Sequence, residues 1–272
     1  MNAREKKFVE LVWTYYEKSG RHDLPWRKNH NPYPSLVSEV MLQQTQAQRV
    51  IPKYQAFLKQ FPNIQALASA PLKEVLIAWQ GLGYNRRAKN LQAAAQTIIT
   101  DYMGRFPRSY EEIIKLSGVG PYTSGAIMAF AYNEARPLIE TNLRTVYLHH
   151  FYKDTTDVSD KELLVVIERT LDTNRPRDWY YALMDYGAHL KSTIGNENVR
   201  AKTYSKQSTF NGSDRQIRGA IVRMLATKSS LTRLQLHKAL AHFDMLRIDV
   251  QLARLTEEGL LCCTRGKYSL PD

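Results

Sequence analysis

The chain has 272 residues, of which 43% are hydrophobic and 24% charged, and its formal net charge is +12 at pH 7; such a length can bury a full core in two or more units. Lysine and arginine are spread along the sequence, no stretch approaches the roughly 20 apolar residues of a spanning helix, and the N-terminus lacks the apolar region of a signal peptide. We therefore expect a globular, cytoplasmic protein, nucleoid-associated in a prokaryote, with nucleic acid and not a membrane as its partner.

Apolar residues recur at helical spacing through about the first 195 positions, and strand alternation is almost absent. The sequence therefore predicts an all-helical region, with helices at residues 3–18, 35–60, 63–70, 72–79, 85–102, 109–116, 122–132, 142–152, 161–173 and 179–190. Residues 196–212 are polar and basic, with few side chains able to form a core. We interpret them as a linker.

A glycine-punctuated turn separates two of these helices. Ser109 and Glu112 have the spacing of a capping box at the start of the first helix. Gly118 and Gly120 then predict a tight hairpin, in which the N–H groups that open the next helix would suit a phosphate oxygen. An ordinary turn between helices has the same pattern and is the alternative.

Residues 213–272 have their own helical pattern. Apolar residues at helical spacing predict one helix around 217–225 and another around 248–255. Between them, Thr232 and Gln235 form a second capping box.

Two short segments at 260–263 and 267–270 follow, and the turn between them predicts a hairpin. Three helices and a two-stranded wing indicate a small winged-helix-like domain, with residues 247–254 on the helix that would enter a DNA groove. Such domains also bind proteins, which is the alternative.

Four motifs occur in order: Leu-Pro-Trp-Arg at 24–27, Ser-Glu-Val-Met-Leu-Gln-Gln-Thr-Gln at 38–46, Gln-Gly-Leu-Gly-Tyr at 80–84, and the hairpin at 116–123. Over about residues 10–190 the chain resembles MutY-type adenine DNA glycosylases of the helix-hairpin-helix superfamily. The resemblance implies a mainly α, two-lobed fold with the active site in a cleft. It places a six-helix barrel at 28–138 and a second lobe at 1–27 plus 139–195, and one cleft per chain fits a monomer.

Removal of a flipped base requires a proton donor for the base and negative charge near the developing sugar cation. Glu39 lies among apolar neighbours, whose burial would raise its pKa and keep it protonated. The resemblance aligns Glu39 with the family's catalytic acid; a solvated glutamate is the alternative. It aligns Glu140 with the family's aspartate and Asn142 with its asparagine. The longer arm of Glu140 would shift its carboxylate or fold back, or Glu140 would merely cap the next helix.

The resemblance also implies roles for aromatic residues. Tyr122 stands where bifunctional relatives carry a Schiff-base lysine, and a tyrosine cannot form that imine. We therefore predict a monofunctional glycosylase without efficient strand cleavage. The implied base pocket contains Trp26, Arg27, Val40 and Tyr181. Tyr181 departs from the glutamine or glutamate expected at its position, so its hydroxyl offers the base a different hydrogen-bonding pattern.

Double-stranded DNA with a damaged or mismatched base is the implied partner. The resemblance assigns DNA contacts to Gln43, Gln44 and Tyr84, and we expect further DNA contacts at the hairpin residues Gly118, Val119, Gly120 and Thr123. For the glutamines and Tyr84, packing between the lobes is the alternative. Arg86, Arg87 and Lys89 follow Tyr84 closely and would add phosphate contacts. Carbonyl groups near Val119 could hold a monovalent cation, as in the family, but hydrolysis itself requires no cofactor.

Two further departures concern cofactor and substrate. The family's four-cysteine iron–sulfur loop has no counterpart, because residues 191–210 contain no cysteine. The only two cysteines, Cys262 and Cys263, are adjacent, and the seven histidines lack ligand spacing, so we predict no metal. The short C-terminal domain also replaces the larger domain that recognises 8-oxoguanine in the family.

The leading hypothesis is a base excision repair glycosylase that hydrolyses the glycosidic bond of adenine opposite 8-oxoguanine or guanine. The altered Tyr181 and Glu140 keep open a pyrimidine substrate, such as thymine, uracil or 5-hydroxymethyluracil opposite guanine. A non-catalytic protein that binds damaged DNA is the alternative from another class.

Overall fold

A computed structural model describes all residues from Met1 to Asp272. The helices are, in chain order, α1 (Ala3–Ser19), α2 (Pro32–Leu42), α3 (Ala47–Gln60), α4 (Ile64–Ser69), α5 (Leu72–Ala78), α6 (Arg86–Asp101), α7 (Tyr110–Ile113), α8 (Pro121–Tyr132), α9 (Thr141–Phe151), α10 (Asp160–Thr170), α11 (Pro176–Thr193), α12 (Asp214–Thr227), α13 (Arg233–Ala239) and α14 (Met245–Glu257). The strands are β1 (Leu231–Thr232), β2 (Cys262–Thr264) and β3 (Lys267–Ser269), and short 3₁₀ segments lie at Pro25–Arg27 and Glu197–Arg200. None of the helices combines the length and the apolar composition of a membrane-spanning segment.

The chain divides into two compact units, each made of separate segments. The first unit comprises Met1–Glu39, Arg108–Lys115 and Val119–Lys206, and the second comprises Val40–Pro107, Leu116–Gly118 and Gln207–Asp272. The chain therefore passes from one unit to the other five times: within α2, before α7, on each side of residues 116–118 in the hairpin, and before α12.

An aromatic core holds the first unit together. Trp179 and Tyr147 are fully buried, and the ring of Phe8 on α1 lies 5.3 Å from that of Tyr147 and 6.2 Å from that of Trp179. Gly187 allows α11 to approach α9 closely, because a Cβ atom at this position would lie only 2.3 Å from the carbonyl oxygen of Asn142. The start of α9 is fixed by this close approach.

In the second unit, α3 to α6 enclose Phe57 and Trp79, whose ring centroids are 5.9 Å apart. The C-terminal residues belong to this same unit: α12 packs against α5 and α14, and the backbone N–H of Lys73 donates to the carbonyl of Pro271. The predicted C-terminal helices and hairpin are present, and the capping box of Thr232 and Gln235 is confirmed. Strand β1 adds to the hairpin in an antiparallel sheet of order β1-β3-β2.

The prediction of one helix over 35–60 is wrong. The chain leaves helical geometry between α2 and α3, where Gln44 adopts a left-handed conformation with φ 53°. This turn is stabilised by Arg87, whose guanidinium donates to the carbonyls of Met41 and Gln43 at 3.0 and 2.7 Å. The turn that follows α2 is therefore held by Arg87, a residue more than 40 positions away in the sequence.

Two smaller expectations also need correction. The predicted helix at 109–116 is only Tyr110–Ile113, because the chain turns from Ile114 onward. The predicted capping box is also incomplete: Ser109 does not cap the backbone, and its Oγ donates instead to Glu112 Oε2 at 2.7 Å. The predicted linker at 196–212 is partly packed against the rest of the chain. Asn198 and Ala201 are buried, and Ala201 forms a bridge with Val158.

Candidate active site

Glu39 lies on α2 and its side chain is buried, with the residue only 4% exposed. Its Oε2 accepts a hydrogen bond from Tyr122 Oη at 3.0 Å. Burial raises the pKa of Glu39 to about 7; the hydrogen bond from Tyr122 opposes that rise and the nearby charge of Glu140 adds to it. The expectation of a buried glutamate with a raised pKa is confirmed, and a solvated face is excluded.

Tyr122 is the second residue of α8, in the turn that follows the hairpin. Burial raises its pKa well above 10, and the carboxylates of Glu39 and Glu140 and the ring of Tyr181 raise it further. The phenol therefore stays neutral and can only share its proton by hydrogen bonding. These four predicted site residues occupy one electrostatic environment within the first unit.

Glu140 folds back onto the start of α9. Its Oε1 accepts from the backbone N–H groups of Asn142 and Leu143 at 2.8 and 3.0 Å, and its Oε2 accepts from Asn142 Nδ2 at 3.3 Å. Burial raises its pKa, and the backbone hydrogen bonds oppose the rise. Glu140 therefore caps α9. Its longer side chain folds back toward the backbone, which was one of the expected geometries. Asn142 contacts Glu140 through both its backbone and its side chain.

Arg27 is buried and forms a paired contact with Asp185, in which both distances are 2.8 Å. Its guanidinium carbon lies 4.3 Å from the ring centroid of Tyr181, and that ring stacks on Phe130 at 4.6 Å with an interplanar angle of 11°. The ring of Tyr181 is therefore held by a cation and by a second aromatic ring.

The other two residues of the predicted base pocket are also buried: Trp26 precedes Arg27 in the 3₁₀ segment, and Val40 follows Glu39 on α2. Sequence reasoning missed Asp185 and Phe130. The spacing of Tyr181 and Asp185, four residues apart on α11, was the available signal that they share a helix face.

The predicted DNA contacts from the second unit lie together. Gln43, Gln44, Tyr84 and Arg86 line one pocket of about 390 Å³. Gln44 and Tyr84 both have positive φ angles, 53° and 47°, in the turns that present them.

Arg87 and Lys89 do not fit the predicted phosphate role. Arg87 donates inward to backbone carbonyls on both sides of the pocket, including Gln43 and Leu82, and burial lowers its pKa to about 10. Lys89 donates to the carbonyl of Glu258 at 2.5 Å. Arg87 therefore fixes the turns that carry Gln44 and Tyr84, because both of its terminal guanidinium nitrogens donate to protein oxygens in these turns.

The hairpin needs only one of its two glycines. Gly118 has φ +75°, and a Cβ atom there would lie 2.7 Å from Asn90 Cβ. Gly120 has φ −101°, and nothing lies within 4 Å of an added Cβ. The backbone conformation of the hairpin therefore requires glycine at position 118 but not at position 120. Val119 and Thr123 are buried, and no side chain caps the start of α8.

Comparison with known proteins places this arrangement in a class. Residues 37–169 match the model of the HhH-GPD superfamily of base excision DNA repair proteins. The solved structure of a thermostable thymine-DNA glycosylase superposes with a TM-score of 0.62 at 29% identity, covering 68% of this chain and 86% of that chain. The fold is therefore similar to that of helix-hairpin-helix DNA glycosylases.

Proteins of similar sequence identify the family within this class. The adenine DNA glycosylase of Mycolicibacterium smegmatis is 33% identical over 282 residues, which cover 96% of this chain and 95% of that protein. That of Buchnera aphidicola subsp. Baizongia pistaciae is 37% identical over 185 residues, 66% of this chain and 52% of that protein. The match thus spans about half the length of the Buchnera relative. The chain belongs to the adenine DNA glycosylase family.

The residues present do not fit the iron–sulfur cluster that the resemblance implies. Such a cluster is held by four cysteines, whereas Cys262 and Cys263 are the only cysteines and lie exposed on β2. Hydrogen bonds within the protein hold the segment after α11 in place. Asn198 Nδ2 donates to Thr145 Oγ1 at 2.8 Å and to the carbonyl of Thr141 at 3.2 Å.

Proposed function

We propose that the chain is a monofunctional DNA glycosylase that excises adenine mispaired with guanine or 8-oxoguanine from double-stranded DNA. The observation that carries this proposal is the buried Glu39, hydrogen-bonded to Tyr122, with a pKa of about 7. A carboxyl group with that pKa is protonated in a large fraction of molecules at neutral pH and still loses its proton readily. The curated relatives named adenine DNA glycosylase support adenine as the substrate.

The chemistry follows from the placement of the acids. Tyr122 donates to Oε2 of Glu39, so Oε1 is the oxygen that carries the transferable proton. As the bond between C1′ and the base nitrogen breaks, its electron pair moves into the base, and the proton from Glu39 neutralises the developing charge. Water then adds to C1′ of the sugar cation and gives up a proton, which the Glu39 carboxylate takes back, so that the free base and an abasic site remain.

Glu140 is proposed to stabilise the sugar cation. Three hydrogen bonds from Asn142 and Leu143 favour its charged form and fix both carboxylate oxygens. An anion held in place before the reaction stabilises a positive transition state without reorganisation. Because Tyr122 has no amine, no Schiff base forms at the hairpin, and we propose that strand cleavage is inefficient.

A second candidate substrate is thymine opposite guanine. The specific observation is Tyr181, whose hydroxyl and ring replace the carboxamide or carboxylate edge expected for adenine, held here by Arg27 and Phe130. The solved structure at 29% identity is that of a thymine-DNA glycosylase, which also supports this candidate.

The experiment is a single-turnover excision assay on duplexes with adenine opposite 8-oxoguanine or guanine, and with thymine, uracil or 5-hydroxymethyluracil opposite guanine. We expect cleavage of the adenine duplexes and a loss of about 10²- to 10⁴-fold in Glu39→Gln, with binding retained. Glu168→Gln, at an exposed position on α10, is the matched control and should keep full activity.

Each alternative outcome has a distinct meaning. Excision of the pyrimidine duplexes alone would replace adenine by the second candidate. DNA binding without excision of any base would favour the non-catalytic protein.

A further inference from the structure

The pocket in the second unit, here called the basic pocket, is lined by three separate parts of the chain. Gln43 and Gln44 come from the turn between α2 and α3, Tyr84 and Arg86 from the start of α6, and Arg215 and Arg218 from α12 in the C-terminal domain. Its volume is about 390 Å³. The C-terminal domain therefore helps to build the surface that carries the predicted DNA contacts.

Arg86 and Arg215 each carry a charge that no carboxylate compensates. Arg86 is exposed, and its guanidinium has no protein partner. Arg215 donates only to neutral oxygens, to Tyr84 Oη at 2.8 Å and to the carbonyl of Ser208 at 2.6 Å. By contrast, Arg218 and Glu258 neutralise each other through a contact of 2.6 Å. The pocket thus presents net positive charge despite containing a carboxylate.

The segment that precedes α12 and the helix itself also fix the residues expected to enter the DNA stack. Gln207 Nε2 donates to Tyr84 Oη and to Gln44 Oε1, the latter at 3.3 Å. Arg215 holds the same hydroxyl of Tyr84. A ligand bound by Arg215 would therefore be bound next to Tyr84 and Gln44.

Helix α14, which we expected to enter a DNA groove, is less suited to that role. Arg247 is engaged by Asp214 at 2.6 Å and by the carbonyl of Gly212 at 2.8 Å. The exposed side chains at the start of the helix include the apolar Met245, Leu246 and Val250. Contacts to DNA phosphates and base edges come mainly from charged and polar groups, so α12 offers the better DNA face.

We propose that the basic pocket binds a phosphodiester group of duplex DNA between Arg86 and Arg215, so that the C-terminal domain contacts DNA through α12 and not through α14. This inference rests on the proposed function, which supplies DNA as the partner. Arginine suits a phosphate because its planar donors can bond two oxygens at once. Arg86 and Arg215 come from segments more than 100 residues apart, so one phosphate would join the C-terminal domain to α6.

The test measures binding of the full chain to a short labelled duplex with an A·G mismatch over a range of KCl concentrations, in the Glu39→Gln background to prevent turnover. Each phosphate contact contributes about 0.9 to the slope of log K against log salt concentration. We expect Arg86→Ala and Arg215→Ala each to reduce the slope, the double variant to reduce it by about 0.9 in total because the two arginines hold one phosphate, and Arg215→Lys to retain most of it. Arg254→Ala, at an exposed position on α14, is the matched control and should leave the slope unchanged.

Unchanged slopes in both Arg86→Ala and Arg215→Ala would overturn the proposal, as would a reduced slope in Arg254→Ala alone. Arg86→Ala remains informative even where Arg215→Ala fails to fold, because Arg86 has no protein partner to lose. Thermal stabilisation by inorganic phosphate that depends on Arg215, without a change in DNA slope, would assign a free-anion site instead. If the wild-type chain excises a base but the slopes of the variants are unchanged, the phosphate site is rejected and the proposed function stands. If no base is excised but the slopes are reduced, the phosphate site stands and the proposed function is rejected.

Discussion

In the first unit, the ionisable groups of the candidate active site are buried or half-buried and hydrogen-bonded within the protein, whereas in the second unit Arg86 of the basic pocket is exposed and Arg215 is half-buried, and neither of these arginines has an acidic partner. Glu39 is 4% exposed and Arg27 is 8% exposed, while Arg86 is exposed. Burial shifts protonation equilibria, because a charge is costly to remove from water. Exposure leaves arginine charged and available to an anion. The two regions therefore suit different tasks: proton transfer in the first and backbone binding in the second.

The largest predicted effect is on stability and concerns the buried ion pair of Arg27 and Asp185. Burial alone would raise the pKa of Asp185, but hydrogen bonds and charge from Arg27 and Arg21 outweigh burial and lower it below 3.8. Asp185→Asn would leave the buried cation of Arg27 without its anion. We expect a loss of about 3–5 kcal/mol in the free energy of unfolding at pH 7, measured by urea denaturation.

The control for this prediction comes from the second unit. Asp214 pairs with Arg247, and both side chains are more than 40% exposed. Asp214→Asn should cost about 1 kcal/mol or less, because solvent screens exposed pairs. Equal losses in the two variants would show that burial does not distinguish the charges of the two units.

The second effect is a dependence of stability on pH at Glu39. Burial raises its pKa from 4.5 to about 7, so ionisation penalises the folded state as pH rises through this interval. At about 1.4 kcal/mol for each pH unit, the full penalty is about 3 kcal/mol above pH 7. Glu39→Gln removes the penalty. We expect the free energy of unfolding of Glu39→Gln to exceed that of wild type by about 3 kcal/mol at pH 8 and by only about 1 kcal/mol at pH 5.

Urea denaturation at the two pH values measures this difference, and Glu168→Gln at an exposed site should show none. A Glu39→Gln variant that is less stable than wild type at pH 8 would show that the carboxylate is stabilised in the fold. That result would argue against Glu39 as a proton donor at neutral pH.

Local patterns in the sequence were sufficient for most helices and for the chemistry of Glu39. Periodic apolar residues predicted α1, α8 and α9 to within one residue at each end, because burial of one helix face needs only local spacing. Apolar neighbours on α2 likewise predicted the raised pKa of Glu39, which the structure confirms.

Long-range contacts escaped the same reasoning. The turn at Gln44 depends on Arg87, and the buried cation of Arg27 depends on Asp185, 158 positions away. Periodicity carries no information on which distant side chain completes such a contact. The packing of α12 against α5, which places the C-terminal residues in the second unit, was missed for the same reason.

The smallest predicted effect lies at the hairpin, where the chain passes between the units. Gly118 belongs to the second unit and Gly120, two residues later, to the first. An alanine at Gly118 would adopt a left-handed conformation that costs about 1–2 kcal/mol, and its Cβ would lie 2.7 Å from Asn90 Cβ. We expect Gly118→Ala to lower the free energy of unfolding by about 2 kcal/mol and Gly120→Ala to change it by less than about 0.5 kcal/mol. Urea denaturation of both variants measures the difference, and a larger loss in Gly120→Ala would mean that the backbone strain of the hairpin lies on the side of the first unit.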